Sequence, residues 1–290
     1  MSIQTTDLLA ADTTMGSVTL RVADLDAMTA YYRDSVTLTV QSQTPESSTL
    51  GRGGVPLVIL EHAPELKHAG GREAGLFHTA ILFETQADLA AAVYTVATRH
   101  PGTFTGSADH LVSQAFYFTD PEGNGIELYW DRSRTEWSWT HGRVEMASLM
   151  LDPNTFLGEH LVEDAVGAAH QRPASVGHVH LSVGDVETAR HFYVDQLGFE
   201  TTAEFGRQAL FVSAGRYHHH MAMNTWNSAG AGPRRLALGL GLVRIELPTA
   251  DDLGALGDRL GHHRIDTEDD GRTVRFDDPW LNRIEVSVKA

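Results

Sequence analysis

Sixteen histidines and no cysteine set the chemistry open to this chain of 290 residues. Without thiolates there is no disulfide, no thiol nucleophile and no sulfur-ligated metal, so a transition metal has to be held by imidazole and carboxylate. Several histidines stand in apolar, alternating stretches: His78 in GLFHTAILF, His178 and His180 in GHVHLSV, and His218–His220 in YHHHMAMNTW. Alternation along a strand sends His178 and His180 to one face, and His218 and His220 likewise, with His219 facing away as the bystander. Carboxylates occur in similar settings, Glu127 in GIELYW and Glu285 in RIEVSV.

The elements that must position these groups come as a repeat. The stretch GSVTLRVADLDAMTAYYRDSVTL (16–38) matches GHVHLSVGDVETARHFYVDQLGF (177–199): an alternating strand, an aspartate (Asp24, Asp185), then an amphipathic helix with a paired aromatic. Two further copies run over 75–130 and about 236–288, each with a helical stretch, an Asp-Pro turn and a last strand. The order is strand, helix and three strands, four times over. One such sheet with a single helix leaves an apolar face uncovered, so modules must pair. The expected fold is α+β, four βαβββ modules paired into two cup-shaped, half-open barrels. The expected boundaries are 1–145 for an N-terminal pair, 146–172 for a linker and 173–290 for a C-terminal pair. A linker helix is predicted over 158–169, with Trp130, Trp137 and Trp139 packing this region onto the modules.

Composition narrows the functions. With 42% hydrophobic and 21% charged residues the chain is a folded globular one. A net charge of −16 without an arginine cluster argues against nucleic acid. The absence of a long apolar run and of a basic, apolar leader argues against a membrane span or secretion, and predicts a cytoplasmic protein. Exposed module edges predict a homo-oligomer.

The paired βαβββ pattern resembles the vicinal oxygen chelate superfamily, which includes glyoxalase I, antibiotic-resistance binding proteins and type I extradiol dioxygenases. The resemblance implies metal ligands at two slots per module, at the start of the first strand and in the middle of the last. Read along the four modules, these slots hold Ser17 and approximately Val58, His78 and Glu127, His178 and His220, and Leu242 and Glu285. The metal set implied is His78, His178 and Glu127. Two histidines and one carboxylate leave three positions open, the arrangement of non-haem Fe(II) oxygenases; Fe(II) is the expected cofactor, with Mn(II) suited by the same ligands.

The segment DHLVSQAFYFTDPEGNGIE (109–127) resembles the extradiol dioxygenase signature through His110, Phe116, Tyr117, Asp120, Pro121, Gly123 and Glu127, and departs from it at Ala108. It implies catalytic roles for Tyr117 and His110, while YHHHMAMNTW implies an acid–base role for His220. His180, His218 and Glu285 remain as supporting groups or alternative ligands. A cup of the second and third modules reunites the signature; one of the third and fourth would use His178, His220 and Glu285 instead. The implied partners are a small aromatic diol and O2. The competing readings are a glyoxalase-like metal-dependent lyase or isomerase, and a binding or resistance protein for an aromatic ligand.

Overall fold

The structure, a computed structural model, describes residues 8–289. All four modules are present. The first is β1 (Thr14–Val22), α1 (Leu25–Asp34), β2 (Thr39–Gln43), β3 (Ser47–Arg52) and β4 (Val55–His62). The second is β5 (Gly75–Phe83), α2 (Gln86–Arg99), β6 (Phe104–Asp109), β7 (Ser113–Thr119) and β8 (Gly125–Asp131). The connection holds β9 (Trp139–Thr140), β10 (Arg143–Val144), β11 (Leu149–Met150), α3 (Pro153–His160) and α4 (Glu163–Gly167). The third module is β12 (Ala174–Ser182), α5 (Val186–Arg190) running into a π-helical turn (His191–Gln196), β13 (Glu200–Phe205), β14 (Ala209–Ser213) and β15 (Met221–Asn224). The fourth is β16 (Gly239–Leu247), α6 (Ala250–His262), β17 (Glu268–Asp269), β18 (Thr273–Asp277) and β19 (Arg283–Val288).

The helices begin where their capping residues dictate. Asp24, Thr85, Asp185 and Thr249 each accept the backbone N–H three residues on, satisfying a donor that the first turn leaves without a helical partner. The predicted linker helix over 158–169 is corrected. Leu161 and Val162 are extended, with ψ of 119° and 142°, so the helix is interrupted and α3 and α4 are separate. Trp137 is buried and its indole N–H donates to the Arg132 carbonyl, a bond within the connection itself.

The strands form an eight-stranded sheet in the order β17-β18-β19-β16-β1-β4-β3-β2 and a nine-stranded sheet in the order β11-β6-β7-β8-β5-β12-β15-β14-β13, besides the β9–β10 hairpin. The second and third modules therefore contribute to one sheet, as the pairing that reunites the signature requires. This is the expected α+β arrangement of four βαβββ modules. Among the described residues no helix is long and apolar enough to cross a membrane.

Contacts group the chain into two compact units, Ser17–Lys67 with His78–Gly177, and the chain up to Gly16 with His68–Phe77 and the chain from His178 onward. In the unit containing Ser17–Lys67, the buried Asp120 of the β7–β8 turn accepts four hydrogen bonds. They come from the backbone N–H groups of Glu122 and Asn124, the Asn124 side chain and the Tyr32 hydroxyl, at 2.8–3.0 Å. Glu122 in turn accepts from the backbone N–H groups of Ala23 and Asp24 at the start of α1.

The other unit repeats the device. Asp278 of the β18–β19 turn accepts from the Trp280 and Asn282 backbones, the Asn282 side chain and the Tyr193 hydroxyl, at 2.8–3.0 Å. Burial pushes both carboxyls above the usual aspartate range, and the hydrogen bonds draw them back only in part. Tyr32→Phe and Tyr193→Phe are each expected to cost about 1–3 kcal/mol, the worth of a hydrogen bond to a charged group. Urea unfolding checks this, with the two variants expected to lose equal amounts.

Candidate metal site

The strands β5, β8 and β12 carry the three groups that could hold a metal. The donor atoms of His78, Glu127 and His178 all lie within 4.8 Å of one another, and all three residues are buried. His78 Nε2 stands 2.9 Å from a Glu127 carboxylate oxygen. Ligands about 2.0–2.2 Å from an ion and at right angles to each other are about 3 Å apart, so this pair fits neighbouring positions on one metal. The donor set, two imidazoles and one carboxylate, suits a divalent transition ion.

Strand register explains why these residues meet, and it corrects two of the slots. β5 runs parallel to β8 with Ala80 opposite Glu127, two residues beyond His78. In β16 and β19 the equivalent partners are Arg244 and Glu285, in β12 and β15 they are His180 and Ala222, and in β1 and β4 they are Thr19 and Ile59. The slot assigned to His220 is therefore occupied by Ala222, and that assigned to Val58 by Ile59. His220 precedes β15, in a segment that is not strand, so motif spacing placed it two residues off the ladder.

Glu285 shares Glu127's register but not its setting. Arg244 and Arg275 donate to its two oxygens at 2.5 and 2.6 Å. Burial works to raise its pKa, and these two arginines outweigh that and hold it below the usual glutamate value. It is an ion-paired carboxylate outside the His78–Glu127–His178 group, which corrects its standing as an alternative ligand.

Gly177 and Tyr129 control how the His178 strand enters. A Cβ on Gly177 would lie 1.6 Å from the Tyr129 hydroxyl oxygen, so only glycine lets these two share the space. Tyr129 packs with Ala80 and Ala115, whose small side chains also leave room for the ring of Tyr117.

Tyr117 pairs directly with Glu127 across β7 and β8. Its hydroxyl is 2.7 Å from His110 Nε2, and His110 Nδ1 is 2.7 Å from the Ala147 carbonyl oxygen. A carbonyl only accepts, so Nδ1 carries a proton; in the neutral ring Nε2 then accepts the Tyr117 O–H. Burial foremost, and then the neighbouring Glu127 carboxylate, push the Tyr117 pKa well up, so this hydroxyl stays protonated.

The histidine triplet is arranged otherwise than strand alternation predicted. All three rings are buried. His219 lies against His178 with ring centroids 4.1 Å apart, and His218 is 5.9 Å away. The Nδ1 atoms of His218 and His219 are 2.7 Å apart, so one donates to the other. The His220 ring packs on Tyr217 and Phe199, and its Nδ1 accepts the Ala214 backbone N–H. His219, read as the bystander, is the triplet member closest to His178 in ring packing; the reading failed because these residues lie in a bend. His180 accepts from the Asn224 amide at 3.0 Å.

The model of the Glyoxalase/Bleomycin resistance protein/Dioxygenase superfamily matches residues 14–128 and again 175–286. The chain belongs to that superfamily. It is 33% identical over 273 residues to a protein of Bacillus subtilis (strain 168) named Catechol-2,3-dioxygenase, covering 92% of this chain and 94% of that one. Its fold is similar to that of glyoxalase I from Zea mays, with a TM-score of 0.56, 14% identity and coverage of 96% and 92%. It is likewise similar to the cppA protein of Streptococcus pneumoniae TIGR4, with a TM-score of 0.58, 9% identity and coverage of 95% and 99%.

His78→Ala is expected to abolish stoichiometric metal binding, and Glu285→Gln to leave it intact, as elemental analysis after dialysis would show. Glu285→Gln should cost stability instead. A folded pKa below the ordinary value of 4.5 contributes stability that is present above that value and lost as pH falls. Wild type and Glu285→Gln should therefore converge in unfolding midpoint on the acid side.

Proposed function

We propose that the protein is an extradiol dioxygenase, cleaving catechol or a substituted catechol beside its vicinal hydroxyls with O2. The observation that carries this reading is the buried His78–Glu127–His178 donor set with Tyr117 directly across from Glu127. The 33% identity to a protein named Catechol-2,3-dioxygenase supports the same chemistry. The ion assigned is Fe(II). When bound, it supplies coordination positions for the diol oxygens and O2 and a path for electrons between them. One glutamate leaves Fe(II) with a local charge of +1, which suits a catechol that has lost a single proton.

The chain's own residues have separable tasks. The protonated Tyr117 hydroxyl is a hydrogen-bond donor, oriented by His110, whose ring is itself turned by the Ala147 carbonyl. It can switch its donation from His110 to a diol oxygen, which positions the substrate. Proton transfer is assigned to His219, whose ring lies beside that of His178 and whose Nδ1 is hydrogen-bonded to that of His218. Accepting the second hydroxyl proton and returning it on ring opening requires a base with a proton path, and the His218–His219 pair provides one. His220, expected in this role, is here a packing group that braces the triplet through Tyr217 and Phe199.

A two-carboxylate lyase site is disfavoured by Ala222, which occupies the slot where a second carboxylate would stand. The reading predicts that anaerobically Fe(II)-loaded protein mixed with catechol in air gives a yellow ring-fission product absorbing in the near visible. No product from several catechols, with tight Zn(II) or Ni(II) binding, would transfer the site to lyase chemistry. His219→Gln is expected to lower kcat by about 10²–10⁴ with metal content unchanged, and His220→Gln to change it far less.

A further inference from the structure

The residues just before β1 are fastened to the segment that carries the histidine triplet. Leu9 is buried, and its backbone N–H donates to the Gly198 carbonyl at 2.8 Å. A turn follows, in which the backbone N–H and the hydroxyl of Thr13 both donate to the Ala10 carbonyl, at 3.0 and 2.6 Å. The turn lays the Ala11 carbonyl on Gly215. A Cβ at position 215 would lie 2.0 Å from that oxygen, so the contact requires glycine.

Both contacts fall beside the rings on which His220 packs. Gly198 precedes Phe199, and Gly215 opens the turn that leads to Tyr217. Gly215 and Arg216 have φ of 61° and 57°, and the Tyr217 N–H closes this turn on the Ala214 carbonyl at 3.4 Å. An arginine in the left-handed region is held there by its surroundings, not by its own preference. From the turn onward the segment is tied in place. The Ser213 and Thr202 hydroxyls donate to the Tyr217 and His218 carbonyls at 2.7 and 2.5 Å, and the Ala214 N–H donates to the His220 ring at 3.2 Å.

We infer that residues 9–13 are a strap that positions the His218–His220 segment, and with it the His219 ring against His178. Its effect on turnover rests on the ring-cleavage reading; its effect on the segment does not. Leu9 and Ala11 touch no reacting group, so they act through Gly198 and Gly215 alone.

Asparagine adopts positive φ at little cost, so Gly215→Asn tests the space that Ala11 occupies and not the backbone conformation. The control is Gly206→Asn in the β13–β14 turn, where φ is 55° and no atom lies within 4 Å of a built Cβ. In Fe(II)-loaded protein, Gly215→Asn should lower kcat for catechol on the order of 10²-fold, with KM and bound iron unchanged, as a displacement of about 1 Å would. Gly206→Asn should change none of the three. Leu9→Ala frees the other end of the strap and should lower kcat in the same sense. Combined with Gly215→Asn it should add little, because both act through one contact. Hydrogen–deuterium exchange over residues 214–220, read by mass spectrometry without substrate, should show lost protection in both strap variants and not in Gly206→Asn. Unchanged exchange in Gly215→Asn overturns the strap, whether or not catechol is cleaved. Loss of iron together with activity, or full kcat despite lost protection, overturns its positioning role. Lost protection in a protein that turns over no catechol keeps the strap and removes ring cleavage.

Discussion

Two buried aspartates, each saturated by four hydrogen bonds, hold the modules in working order. A carboxylate has about four acceptor sites, and Asp120 and Asp278 use theirs on a turn, an asparagine and a tyrosine from a helix of the preceding module. Burying such a group without partners would cost several kcal/mol. With partners, it locks the turn and sets where the following strand starts. In the second module that strand is β8, which delivers Glu127, and the strand before the turn delivers Tyr117. The fourth module keeps the turn but spends its carboxylate on Arg244 and Arg275, so the same scaffold serves packing there and chemistry in the second.

The candidate site depends on what is small as much as on what can ligate. Gly177 yields to Tyr129, and alanines at 80 and 115 accommodate the tyrosines around Glu127. Ala222 keeps the remaining slot without a donor. Around this core the proton inventory is set by fixed acceptors and donors: the Ala147 carbonyl sets the His110 tautomer, and the Asn224 amide sets that of His180. Neither assignment depends on solvent.

Much of this was legible in the sequence because repetition supplies its own control. Four copies of one pattern identified the strands, the caps at Asp24 and Asp185 and the Asp-Pro turns, and singled out His78, Glu127 and His178, whose donor atoms the structure brings together. What failed was fine register. The run His218–His220 reads as strand by its neighbours, but β15 begins at Met221, and alternation says nothing about a bend. The same two-residue error put His220 in a slot that belongs to Ala222. Glu285 looked like a ligand because its partners, Arg244 and Arg275, lie 41 and 10 residues away. The contact between the Asn224 amide and His180 rests on a side-chain orientation that no spacing rule contains.

The tyrosine–aspartate ties also bear on how the chain reaches its structure. They join residues 88 and 85 apart, whereas pairing β1 with β16 in the eight-stranded sheet closes a loop of about 220 residues. Closing the shorter loops first is the less demanding search. The ties are thus within reach of a shorter stretch of chain than the completed sheets, and a nascent chain can secure its first Asp-Pro turn while the His178 strand is still being synthesised.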